Sequence, residues 1–194
     1  MTENETKRIG ESWPCIVPET KRGSVVIERF AVSEAASQLS GLRGDCVPTG
    51  TYTRLMVEGK LVMSDTPKEK NDHCALFRNA QGHVLLNGLG LGCCLNVVRN
   101  SKDVTHVTVI ESNPDVIAVV APHFPGVEII HADALEWKPP KGVRYNAVWH
   151  DIWSDMCTDN LLEMHCLHRR YGRRCDWQGS WSREHLERER RRFR

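Results

Sequence analysis

The chain has 194 residues, enough for one domain with an ordinary buried core. Its formal net charge of +1 gives no overall attraction to nucleic acid or to an anionic membrane surface, so nucleic acid is not a required partner. No apolar run approaches the roughly 20 residues of a membrane helix, the N-terminus has no signal-like apolar stretch, and none of the eight cysteines forms a Cys-x-x-Cys pair, so reduced thiols and a cytoplasmic location are expected.

Residues 1–22 are polar and punctuated by proline, and are expected to be loosely held. Residues 24–30 read as a short strand and 33–39 as a helical turn or two. Residues 41–50 hold three glycines and Pro48 and read as a loop. Two β-prone runs, 52–57 and 60–63, flank Glu58-Gly59 and predict a hairpin. Residues 65–77 open on Asp-Thr-Pro, a cap with proline in the first turn, and read as one helix.

From residue 83 the pattern becomes strand–helix alternation. Strands are expected at 83–87, 106–111, 127–131 and 145–151, with helices at 93–99 and 114–121 between them. The strands are short, apolar and unbroken, as in a parallel sheet covered on both faces. A further helix is expected over 159–171 with Gly172 as its stop, while 175–181 makes a poor strand. The arginine-rich end, including Arg188, Arg190 and Arg194, reads as a solvated helix or frayed tail. The expected division is a loose segment 1–22, a hairpin and helix region 23–80, a Rossmann-like cofactor-binding domain 81–181 and a basic tail 182–194.

The stretch 84–92, Val-Leu-Leu-Asn-Gly-Leu-Gly-Leu-Gly, concentrates the chemistry. An apolar strand ends at Asn87 and runs into Gly88, Gly90 and Gly92 before a helix starts. Glycines allow a sharp turn and let backbone N–H groups approach a ligand. The next strand ends in Glu111, whose two oxygens could accept from both hydroxyls of a ribose. Asp133 and Ala134 follow the third strand, where a base edge could be read. Asp151 follows the fourth, at the strand end that faces the ligand crevice of an open α/β sheet. It is the candidate catalytic group, whereas His150 is expected to face the other side of the sheet. His165, Cys166 and His168 fit no standard zinc spacing, so no metal site is assigned. Cys93 and Cys94 read as small residues packed under a strand.

Together these residues resemble the class I S-adenosylmethionine-dependent methyltransferases, and more narrowly the spermidine synthase-like proteins, in which a β-hairpin precedes the nucleotide fold. The resemblance covers roughly residues 50–155. It implies a Rossmann-like, mostly parallel sheet with helices on both faces, cut short at its C-terminal end. It implies S-adenosylmethionine as cofactor, with Asn87, Gly88, Gly90 and Gly92 around its amino-acid part, Glu111 at the ribose, Asp133 and Ala134 at the adenine, and Asp151 on the substrate. The expected activity is methyl transfer to a small-molecule or other unidentified nucleophile. Aminopropyl transfer and a non-catalytic binding module stay open as alternatives. Leu91 stands where spermidine synthases carry an acid, and Asp155 lies one residue beyond their second aspartate. A sheet cut short leaves an edge that could pair, so a homodimer is expected.

Overall fold

A computed structural model describes residues 2–42 and 47–192; Cys46, Arg194 and the middle of the 41–50 loop lie outside them. The first of two sheets is antiparallel, with β1 (Thr20–Arg22), β2 (Val25–Val32), β3 (Gly50–Val57) and β4 (Lys60–Ser64) side by side in that order. The expected hairpin is β3–β4. Both of its turn residues are left-handed, Glu58 at φ 52° and Gly59 at φ 75°, the backbone that a tight two-residue turn needs to match strand twist. Helix α2 (Glu34–Leu42) joins β2 to β3.

The second sheet is parallel, and holds β5 (Gly82–Asn87), β6 (Val104–Glu111), β7 (Glu128–His131), β8 (Tyr145–His150) and β9 (Cys175–Ser180) in the order β7-β6-β5-β8-β9. Helices α5 (Cys93–Arg99) and α6 (Pro114–Val120) lie on one face and α7 (Asn160–Tyr171) on the other. This is the expected Rossmann-like arrangement. Val84, Leu85 and Leu86 of β5 are all buried, because the sheet has a core on each side. Strand order reverses between β5 and β8, and the crevice beyond the strand ends at such a reversal is where α/β sheets bind ligands. The ion pair of Arg22 Nε with the Asp115 carboxylate, 3.0 Å apart, joins the first sheet to α6.

Three expectations need correction. Residues 1–22 are not loose: Glu3–Ser12 form helix α1, with Thr2 and Glu5 in a capping box. Ile9, Trp13 and Val17 are buried in the main core, Arg8 donates to the Val97 carbonyl at 2.8 Å, and Asn96 donates to the Ser12 carbonyl at 2.7 Å. A few spaced apolar residues anchor a segment whose average composition is polar. Residues 65–77 are two short helices, α3 (Pro67–Asp72) and α4 (Cys74–Asn79), broken at His73. Residues 175–180 do form a strand, β9, which pairs with β8 through its backbone. Gly179 makes this strand possible, since a Cβ there would press on the stacked rings of Trp149 and Trp177. The basic end forms helix α8 (Arg183–Arg192), held to α7 by buried Leu186.

Asp65 ties the N-terminal segment to the hairpin instead of capping α3. Its carboxylate accepts the Thr53 N–H at 2.6 Å and the Cys15 N–H at 3.0 Å, while its carbonyl accepts the Trp13 indole N–H at 2.7 Å. Asp65→Ala leaves two backbone donors without acceptors in a buried place. The expected loss is about 2–4 kcal/mol of unfolding free energy, measured by urea denaturation, with Asp65→Asn losing less because it keeps one acceptor.

Candidate functional site

A cavity of about 400 Å³ opens where β5 and β8 diverge, within the range of roughly 300–1,000 Å³ usual for small-molecule sites. The glycine loop, the ends of β6 and β7, and the residues after β8 form its floor, and Leu55, Val57, Val62 and Met63 of the first sheet form its roof. Of the residues singled out from the sequence, Gly88, Gly90, Glu111, Asp133, Ala134 and Asp151 all line it. Asn87 and Gly92 do not.

Gly88 has φ 104°, and a Cβ there would collide with the Asp151 carbonyl oxygen. Gly90 has φ 52°, and a Cβ there would meet the Met63 sulfur. Gly92 caps α5 in a left-handed conformation, φ 76°, and the rings of Phe124 and the side chain of Val120 occupy the space beside it. Its lack of a side chain therefore serves helix packing. Asn87 turns to the opposite face, where its amide meets His150 Nδ1 at 2.7 Å. His150 is fully buried, and burial pushes its imidazole down to about 3. The ring is neutral, and Nε2 points toward Gln178 Oε1 at 3.4 Å. This places His150 on the far side of the sheet, as strand alternation predicts.

Glu111 holds the loops together. Its Oε2 accepts the Leu89 N–H at 2.9 Å and its Oε1 accepts the Asn113 N–H at 2.8 Å. Each carboxylate oxygen has two lone pairs, so both keep one for a ligand. A ribose diol offered from the cavity would meet an acceptor already fixed in orientation. Asp133 uses Oδ1 to accept the Leu135 N–H at 2.7 Å, forming a turn that presents Ala134 to the cavity.

Arg170 braces this wall from behind. Its guanidinium donates to the Ala134 and Trp137 carbonyls at 2.7 and 2.8 Å and also to the Leu135 carbonyl. Arg174 reaches the Pro139 and Pro140 carbonyls, at 3.3 Å each. These arginines of the basic cluster are thus turned to the protein's own backbone.

A second cavity of about 500 Å³ lies beside the first. Val62, Met63, Asp151, Trp153 and Ser154 line both. Its walls are apolar at Phe30, Val32, Leu61 and Met156 and acidic at Glu69 and Asp72, with Lys68 3.4 Å from the Asp72 carboxylate. His73 closes its end, ringed by Trp13, Phe77 and Trp149. The sequence did not single out Met63, Glu69, Asp72 or His73 as site residues; a break in a predicted helix leaves no composition signal. Asp155 is exposed and lines neither cavity, and the N-cap of α7 is Asp159.

Asp151 sits at the junction, lining both cavities, with a quarter of its side chain exposed. Burial pushes its carboxyl up to about 7, and Glu69, Asp72 and Glu111 add to the shift. Glu69 is likewise pushed to about 7 by burial, although Ser64 donates to it through backbone and hydroxyl. Burial lowers His73 to about 3 and holds the Cys94 thiol well above its ordinary value.

No family model matches the chain, and no curated protein matches it. Among solved structures it is similar to a SAM-bound amino pentose methyltransferase from Micromonospora echinaspora involved in calicheamicin biosynthesis, at 20% identity and a TM-score of 0.40, over 54% of this chain and 42% of that one. It is similar to DhpI in complex with SAM and HEP, at 17% identity and a TM-score of 0.45, over 62% of this chain and 58% of that one. It is also similar to the spermidine synthase of Thermotoga maritima, at 15% identity and a TM-score of 0.46, over 79% of this chain and 52% of that one. The chain thus spans 42% to 58% of the length of these three proteins. At such values function has to be read from the cavity itself.

The raised Asp151 carboxyl has a consequence for stability. Its folded pKa of about 7 exceeds the ordinary 3.8, so the folded state binds the proton more tightly. The resulting stabilisation is full below about pH 4 and is lost as pH rises through about 7. Asp151→Asn removes this dependence. The urea midpoint of the wild type minus that of the variant should therefore fall between pH 4 and pH 8; a constant difference would show that the carboxyl titrates normally.

Proposed function

We propose that this protein transfers a methyl group from S-adenosylmethionine, held in the first cavity, to a nucleophile held in the second. The observation that carries this reading is the junction: two ligand-sized cavities meet at Asp151 and share Met63 and Trp153 as walls. The first cavity fits the donor group by group. Gly88 and Gly90 line it where its amino-acid part would lie, Glu111 presents two fixed acceptors to the ribose, and the Asp133–Ala134 turn offers a wall to the adenine. The second cavity is of small-molecule size, and its carboxylates oppose an anionic acceptor.

When bound, S-adenosylmethionine supplies an activated methyl group on a sulfonium centre. The chain's part is to orient, to exclude water and to handle a proton. The roof of Leu55, Val57, Val62 and Met63 shields the first cavity from solvent. Asp151 stands where the acceptor's nucleophilic atom has to lie, and its carboxylate can take that atom's proton or hold it in line. Holding two reactants in line is worth up to about 7–11 kcal/mol of barrier. A positioned base adds typically about 10²–10⁴-fold.

Aminopropyl transfer has one observation in its favour, the carboxylates of the second cavity, which suit a cationic acceptor. Against it, Leu91 is buried and lines neither cavity, so it cannot replace the acid that spermidine synthases carry there. The released product separates the readings: S-adenosylhomocysteine marks methyl transfer, methylthioadenosine marks aminopropyl transfer, and donor binding without either marks a non-catalytic module.

Two outcomes are expected. S-adenosylmethionine at about 100 times its Kd should add about 2.7 kcal/mol to stability, seen as a rise in Tm, and Glu111→Ala should abolish that rise. Asp151→Asn should retain the Tm rise while lowering turnover by about 10²–10⁴-fold. Full turnover in that variant would remove Asp151 from the catalytic role.

A further inference from the structure

His73, Cys94 and Asp151 come from three separate elements: the break between α3 and α4, the first turn of α5, and the end of β8. The structure brings one potential ligand atom of each within 4.8 Å of the other two. We propose that these three side chains bind a thiophilic divalent cation, zinc in class, at the junction of the two cavities. The inference goes beyond the transfer reading and does not depend on it, because it needs no S-adenosylmethionine.

Three observations support it. The first is spacing. His73 Nε2 and Asp151 Oδ2 are 3.7 Å apart, too far for a hydrogen bond. A nitrogen and an oxygen on one tetrahedral ion, with bonds of roughly 2.0–2.2 Å, lie about 3.3–3.6 Å apart, so this pair is within a few tenths of an ångström of a coordination edge. Cys94 closes the triangle after a small side-chain rotation, since all three atoms are within 4.8 Å.

The second is the state of His73. Its side chain is 2% exposed, and its buried Nδ1 has no hydrogen-bond partner among the described residues. Aromatic rings pack around it and fix its plane. A rigid imidazole is a common metal ligand, and here it offers Nε2, the nitrogen that faces Asp151.

The third is charge. Glu69 lines the second cavity beside Asp151 and His73, while the ammonium of Lys68 lies against Asp72. A divalent cation at the junction would face the Asp151 and Glu69 carboxylates together. A thiolate with an imidazole and a carboxylate favours zinc over magnesium or calcium, which prefer oxygen ligands alone. Binding releases the Cys94 proton to solvent as the sulfur–metal bond forms. Three protein ligands leave a fourth position for water or a ligand atom.

The test uses the full chain, stripped with a chelator and titrated with Co²⁺ as an optical probe. One equivalent should bind and produce a thiolate-to-cobalt charge-transfer band, which Zn²⁺ then displaces. Cys94→Ser should lose the band. His73→Gln should weaken Co²⁺ binding by more than the roughly 10–100-fold typical of an outer-shell partner. A band that survives Cys94→Ser, or the absence of any saturable band in the wild type, overturns the proposal. A second measurement needs no variant: Zn²⁺ should protect Cys94 from alkylation by iodoacetamide, read by peptide mass spectrometry, and unchanged labelling also overturns it.

Discussion

The two middle strands of the parallel sheet stay paired to their last residues and then part, and everything in the site follows from how tightly they do so. The Asp151 N–H donates to the Asn87 carbonyl at 2.8 Å, one residue before the chain bends at Gly88. The Asp151 carbonyl then lies where residue 88 would carry a Cβ. Only a residue without a side chain can stand there, and at φ 104° the backbone is one that glycine alone adopts without strain. The bend sends the glycine loop one way and the Asp151 segment the other, and the crevice between them becomes the cavity. The same close approach fixes the height of the Asp151 carboxylate relative to the loop, which decides what it can touch.

Around that crevice the protein gathers negative charge at little distance. Glu111 comes from the end of β6, Asp151 from the end of β8, and Glu69 and Asp72 both from α3; burial rather than pairing governs Asp151 and Glu69. Two of these carboxylates have defined tasks within the fold: Glu111 binds two loop N–H groups, and Glu69 receives Ser64. Among the described residues the Asp151 carboxylate has no hydrogen-bond donor, only His73 Nε2 at 3.7 Å. A partly buried carboxyl that no protein donor holds is free to act on whatever occupies the junction.

Much of this could be read from residue order. The strands from residue 83 to 150 are apolar and unbroken because both faces of the sheet are covered, and helix 93–99 was legible from glycines that stop on one side and apolar residues that start on the other. The hairpin was legible from Glu58-Gly59. Three things were not. Strand β9 owes its place to backbone pairing with β8 and to Gly179, which fits under two tryptophan rings. The N-terminal helix is held by a few residues, Ile9 and Trp13 among them, that a composition average dilutes. His73 reaches the junction only because one expected helix is two, so its meeting with Cys94 and Asp151 is a product of tertiary packing. Asn87 at its strand end and Gly92 in the glycine loop both read as cofactor-binding residues in the sequence, yet the pleat turns one to the far face and helix packing claims the other.

Arg170 links events that are far apart in the chain. Its guanidinium gathers the carbonyls of residues 134, 135 and 137, groups that would otherwise point outward from an irregular loop. During synthesis that loop is made well before the arginine, so it spends an interval with no clamp. The wall of the cavity is therefore complete only with α7 in place, and a ligand that needs this wall needs residues made some thirty positions after it.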